Sequence, residues 1–171
     1  MPHPKILFLF PLLLLIATTL HAQTPPPCPT VHTLASFLPA WEAAVQGPGS
    51  RSHTCTLALL TQDARISGAM PNKAGFPELT TESPAEFVAW YQNHPTEPFF
   101  ERTLQSTTEL YDNVARLTRT YEVRDTPTSP VKARGIEHFW LLFDGSTWRA
   151  FALLWQDEAP GKPLPSIYLP H

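Results

Sequence analysis

Hydrophobic and polar positions divide the chain into an uninterrupted apolar start, a helical region and a stranded region. Apolar residues recur at Val31, Leu34, Phe37, Leu38, Trp41 and Val45, three or four apart, which predicts an amphipathic helix ended by Gly47-Pro48-Gly49. Pro39 permits two versions: a helix begun at Thr30 and kinked, or a shorter one capped by Ser36 with the proline in its first turn. A second short helix is expected from His53 to Leu60. From Asp63 to Met70 the pattern alternates, placing Ala64, Ile66, Gly68 and Met70 on one face of a strand. Residues 71–81 carry Pro, Gly and Asn and read as a loop. Ser83-Pro84-Ala85-Glu86 is a capping box with proline at the first helical position, so a third helix starts there and runs through Phe87, Trp90 and Tyr91 until Pro95 and Pro98 stop it.

Of the 20 prolines, none falls in 99–126 or 131–159. A proline within a sheet forfeits a ladder hydrogen bond, so these windows are where long strands are expected. Each is divided by a turn, Tyr111-Asp112-Asn113 in the first and Asp144-Gly145-Ser146-Thr147 in the second, giving two hairpins. Helices grouped ahead of a mainly antiparallel sheet define an α+β fold, with about three N-terminal helices packed on one sheet face.

In the second hairpin, alternation puts Glu137, Phe139, Leu141 and Phe143 on one face with Trp148, Ala150, Ala152 and Leu154. The other face carries Ile136, His138, Trp140 and Leu142 with Arg149, Phe151, Leu153 and Trp155. Both faces are apolar, so both need a cover: helices on one, and on the other a second subunit, a ligand or the extended tail from Pro160 to His171. Glu137 is the lone carboxylate on its face. It is either a structural partner of Arg134 or another arginine, or an acid or base in a pocket shaped by Phe139, Trp148, Ala150 and Ala152. His138 is the second candidate for chemistry, against a purely packing role beside Trp140.

The start of the chain changes the compartment. One positive charge at Lys5, an apolar run from Ile6 to Ala17 and Ala22 make a secretory signal peptide over 1–22. The run falls short of the roughly 20 apolar residues of a spanning helix, and no other stretch could cross a membrane. A proline-rich leader, 23–30, then enters one domain over 31–171. Export leaves Cys28 and Cys55 in an oxidising compartment, where they either form a disulfide or, for Cys55 in its apolar stretch, a buried thiol. A net charge of −3 with no cluster of Lys and Arg disfavours nucleic acid. The scattered histidines show no metal spacing, and no phosphate loop or nucleophile elbow occurs, so neither a metal nor a cofactor is expected.

Three stretches, Leu59 to Ile66, Gly135 to Trp148, and Leu153 to Glu158 with the tail Tyr168-Leu169-Pro170, resemble the nuclear transport factor 2-like superfamily, specifically its exported bacterial SnoaL-like members. The resemblance spans roughly 31–170. It implies a cone-shaped fold whose curved sheet and helices enclose a pocket, often in a homodimer, and it implies no single activity. Ketosteroid isomerase-like members take a base from the first strand and a tyrosine from the first helix. This chain has Ser67-Gly68 and no helix-one tyrosine at those places, which puts that scheme in doubt. The expectation is therefore an exported protein binding a small apolar molecule, with a cofactor-independent lyase, isomerase or hydrolase and a non-catalytic dimerisation module as alternatives.

Overall fold

A computed structural model of the protein describes residues 27–170. The expected signal peptide and the first part of the proline leader lie outside them. Three helices and seven strands follow in the order α1 (Phe37–Val45), β1 (Gly47–Pro48), α2 (Cys55–Ala58), β2 (Leu60–Pro71), β3 (Pro77–Glu82), α3 (Pro84–Asn93), β4 (Pro98–Tyr111), β5 (Val114–Arg124), β6 (Val131–Phe143) and β7 (Trp148–Asp157). No described helix is long and apolar enough to cross a membrane.

The capping box operates as its residues dictate: Ser83 Oγ accepts from the Glu86 amide (3.3 Å) and Glu86 Oε2 accepts from the Ser83 amide (2.8 Å). Of the two Pro39 versions, the shorter helix forms, preceded by a 3₁₀ turn over Leu34–Ser36. Proline there occupies the third helical residue, whose amide lacks an intrahelical partner in any case. The α1 stripe buries Phe37, Trp41 and Val45 together with Ala40 and Ala44.

The strands form one sheet in the order β1-β4-β5-β6-β7-β2-β3, with every pairing antiparallel except β2 against β7. The two expected hairpins are its centre. Asp112 takes the left-handed conformation (φ 49°) in the first turn, and Gly145 (φ 92°) in the second. Asp144 Oδ1 closes the second turn by accepting from the amides of Ser146 and Thr147, both at 2.9 Å. Opposite that turn the entering chain is pinned by backbone and side chain, since Trp148 N–H donates to the Val31 carbonyl (2.8 Å) and Val31 N–H to Thr147 Oγ1 (3.2 Å). Cys28 and Cys55 are joined in a disulfide that ties the leader to α2.

Three sequence expectations need correction. The second helix is a single turn, Cys55–Ala58, and Leu59 and Leu60 instead lead into β2. The presumed loop over 71–81 contains β3, an edge strand paired to β2 from Ile66↔Glu82 to Pro71↔Pro77. Its side chains are nearly all exposed, so no apolar alternation advertises it, and backbone pairing alone makes it a strand. Third, the alternation in β7 breaks. Leu141 pairs with Ala150 but Trp140 with Ala152, so Phe151 is an extra residue at a β-bulge. Beyond it Leu153 and Trp155 turn to the concave face, while Ala152 and Leu154 turn away.

The core lies between the concave face and the helices, built around Phe37, Trp41 and Phe139. Phe139 meets the other two rings edge-on at 5.2 and 5.1 Å. On the convex face the chain after β7 covers part of the sheet: Tyr168 and Ile167 carbonyls accept from Thr120 Oγ1 (2.5 Å) and Gln105 Nε2 (3.0 Å). Trp140, Leu142, Phe151 and Leu154 on that face stay substantially exposed.

Candidate functional site

At one end of the core the packing opens into a cavity of about 220 Å³. Its helical wall is aromatic, with Trp41 from α1 and Phe87, Trp90 and Tyr91 from α3; Phe99 of β4 and Trp155 of β7 extend it. Trp155 can lie flat against the sheet because residue 68 is glycine. A Cβ there would sit 2.6 Å from Trp155 Cζ2, inside any real contact distance. Tyr91 is held from behind by His53, whose ring stacks on it at 4.0 Å and bridges the Ala44 and Pro48 carbonyls at 3.1 Å each.

The floor is polar. Arg119 of β5, wholly buried, donates from Nε and Nη2 to the carboxylates of Glu137 on β6 and Glu101 on β4. Glu42 of α1 adds a third carboxylate, 3.7 Å from Nη1, and Oε1 of the same side chain accepts from the Thr103 amide (2.5 Å). The guanidinium also stands over the rings of Phe139 and Tyr121 at 5.4 and 5.6 Å. Burial opposes the charge on Arg119, but Glu101 and Glu137 more than offset it and its pKa is raised.

Glu137 is affected in the opposite sense. Burial pushes its carboxyl up to about 8, resisted by Arg119 and reinforced by Glu101 and Asp157. With two buried carboxyl groups on one guanidinium, a proton on Glu137 relieves an uncompensated negative charge. Tyr121 donates its hydroxyl to Asp157 Oδ1, and burial and that carboxylate raise its pKa. The Tyr91 hydroxyl is likewise raised, first by burial and then by Glu101 and Glu137. That hydroxyl is open to solvent on the cavity side, unlike Thr56 Oγ1, the buried oxygen without a partner among the described residues. Glu101, Glu137, Asp157, Tyr91 and Tyr121 all line the cavity, with Glu82 and Thr80 from β3. Chemically the site offers an apolar berth beside a protonated carboxyl, a free hydroxyl and further carboxylates. Among the described residues, no three His, Cys, Asp or Glu side chains are arranged to hold a metal ion.

Of the residues singled out in the sequence, Glu137 lies in this site, in the buried floor, and its partner is Arg119; Arg134 pairs with Glu158. Phe139 and Ala150 have no exposed surface and form packed core beside the cavity. Trp148 is also core, tilted on Phe143 at 5.4 Å. Ala152 lies on the other face, beyond the bulge. None of these four lines the cavity. His138 points to the convex face, accepting or donating with Thr118 Oγ1 at 3.0 Å, and burial lowers its pKa. The sheet separates it from Glu137. Arg119 and Glu101 went unnoticed, although Ala115-Leu117-Arg119-Tyr121-Val123 alternates cleanly and sets an arginine among inward residues.

A curved, mainly antiparallel sheet closed by three helices, with its cavity on the concave side, is the nuclear transport factor 2-like fold. Solved structures bear this out. The chain is similar to a protein of this fold of unknown function from Methylobacillus flagellatus, at 15% identity, 77% of this chain and 100% of that one, with a TM-score of 0.51. Similar proteins, also of unknown function, come from Silicibacter pomeroyi (15% identity, 73% and 92% covered, TM-score 0.52) and Pseudomonas putida (13%, 71% and 82%, 0.54). No protein-family model and no curated protein matches the sequence. Likeness at this identity defines the fold and leaves the activity to the site.

Proposed function

We propose that this chain is an exported protein that binds a small, mostly apolar molecule in the cavity between the concave sheet face, α1 and α3. The observation that carries the reading is the cavity itself: about 220 Å³ walled by aromatic rings, with a few polar groups converging on it. Three of the five tryptophans, Trp41, Trp90 and Trp155, line it, and Trp140 and Trp148 do not. Titration with p-cresol or cyclohexanol, followed by the indole N–H resonances, is expected to shift the first three and leave the other two unmoved. Saturable shifts confined to Trp140 would place binding on the convex face and end the proposal.

Glu137 favours a second reading, a cofactor-independent acid/base enzyme. A carboxyl held up to about 8 keeps a proton to donate at neutral pH, and it faces an apolar berth. In that case Glu137→Gln would retain binding and lose turnover.

Export rests on the 1–22 segment and is supported by the Cys28–Cys55 disulfide, a bond that persists in oxidising compartments. Intact-mass measurement on protein recovered from the cell envelope or medium is expected to show loss of about 22 residues. The exposed Trp140, Leu142, Phe151 and Leu154 support a homodimer through the convex face.

A further inference from the structure

The cavity is unbalanced in charge. Among the described residues, four carboxyl groups face it, Glu82, Glu101, Glu137 and Asp157, and no lysine, arginine or histidine does. The nearby cation Arg119 is engaged by Glu101 and Glu137 and stands over rings. Neither Glu82 nor Asp157 belongs to an ion pair among the described residues; Asp157 has only the Tyr121 hydroxyl.

A second observation points the same way. Tyr91 is 3% exposed and lines the cavity, and its hydroxyl, unlike Thr56 Oγ1, is not sealed from solvent. That hydroxyl is reached by solvent through the cavity, where a polar group of a guest can take the place of water. Around it stand the rings of Trp41, Phe87, Trp90 and Trp155, whose faces carry negative potential. An anion would meet the carboxylates of Glu82 and Asp157, and a neutral apolar guest would leave those two without a cation.

Resting on the ligand-binding reading above, we infer that the ligand is a small organic cation, an ammonium centre carried on an apolar body. The aromatic wall and the carboxylates of Glu82 and Asp157 together hold the charge, while Tyr91 supplies an oxygen toward it. A volume of about 220 Å³ is that of about seven waters at ~30 Å³ each, which fits a compact amine rather than a long chain.

The test is calorimetric titration of the disulfide-bonded protein with choline, with its neutral isostere 3,3-dimethylbutan-1-ol, and with benzyltrimethylammonium. Choline is expected to bind at least tenfold more tightly than the alcohol. Glu82→Gln is expected to lower choline affinity three- to tenfold without changing the alcohol's. Should that variant misfold, Asp157→Asn gives the same comparison. Equal or tighter binding of the alcohol would overturn the cation inference and leave the apolar pocket standing. An unchanged ratio in both folded variants would overturn it too, and no binding of any probe or of p-cresol to folded protein would remove both.

Discussion

Arg119 on β5 stands directly opposite Glu137 on β6 in the sheet register, and its Nε–H donates to that carboxylate in a wholly buried setting. The same guanidinium serves Glu101. Removing it strands carboxylates in the core, so Arg119→Met is expected to lose about 3–5 kcal/mol at pH 7. At pH 5 the loss is expected to be smaller, because the stranded acids take up protons. Urea unfolding at the two pH values checks both statements.

Glu137 faces Arg119, Glu101, Asp157, Tyr91 and Tyr121, and its folded pKa of about 8 stands above the ordinary 4.5. The folded state therefore binds this proton more tightly than the unfolded chain. Its contribution to stability is fully present below about 4.5 and is lost as the pH rises through about 8. Wild type should weaken between about pH 4.5 and about pH 8, and Glu137→Gln, which resembles the neutral acid, should lack that slope. Denaturation midpoints measured across the window decide it; a carboxyl resonance titrating near 4 would contradict the assignment.

The Cys28–Cys55 bond closes a loop of 27 residues. Chain entropy values that closure at roughly 3–4 kcal/mol. The double Cys28→Ser, Cys55→Ser variant should unfold at correspondingly lower urea. Fraying should be concentrated where Val31 meets Thr147, visible as faster amide exchange there.

Gly68→Ala would drive a methyl group into Trp155, a ring that lines the cavity. A cost of about 1–3 kcal/mol is expected from overpacking. Ligand affinity should fall with it, whereas Gly145→Ala, in open space at a turn, should alter stability alone. Thermal melts and p-cresol titrations of the two variants separate the effects.

If the exposed convex face mediates dimerisation, Trp140→Glu should shift sedimentation from dimer to monomer while leaving the circular dichroism unchanged. Wild type sedimenting as a monomer at micromolar concentration would remove that interface.

Local chemistry determined much of this protein from sequence alone. The Ser83 capping box, the α1 stripe, the Asp112 and Gly145 turns and the proline-free strands each depend on residues close together in the chain, so their signals are intact there. The α+β class follows from their order. Tertiary structure decided the rest. Edge strand β3 exists because β2 offers it backbone partners, and nothing in Pro77–Glu82 alternates to announce it. The Phe151 bulge exchanged Ala152 and Leu154 for Leu153 and Trp155 on the concave face, because one extra residue inverts every side chain beyond it. Glu137 was visible as a lone acid on an apolar face. That it shares a buried guanidinium with Glu101 depends on three strands lying side by side, a pairing set by the whole sheet and by no segment of it.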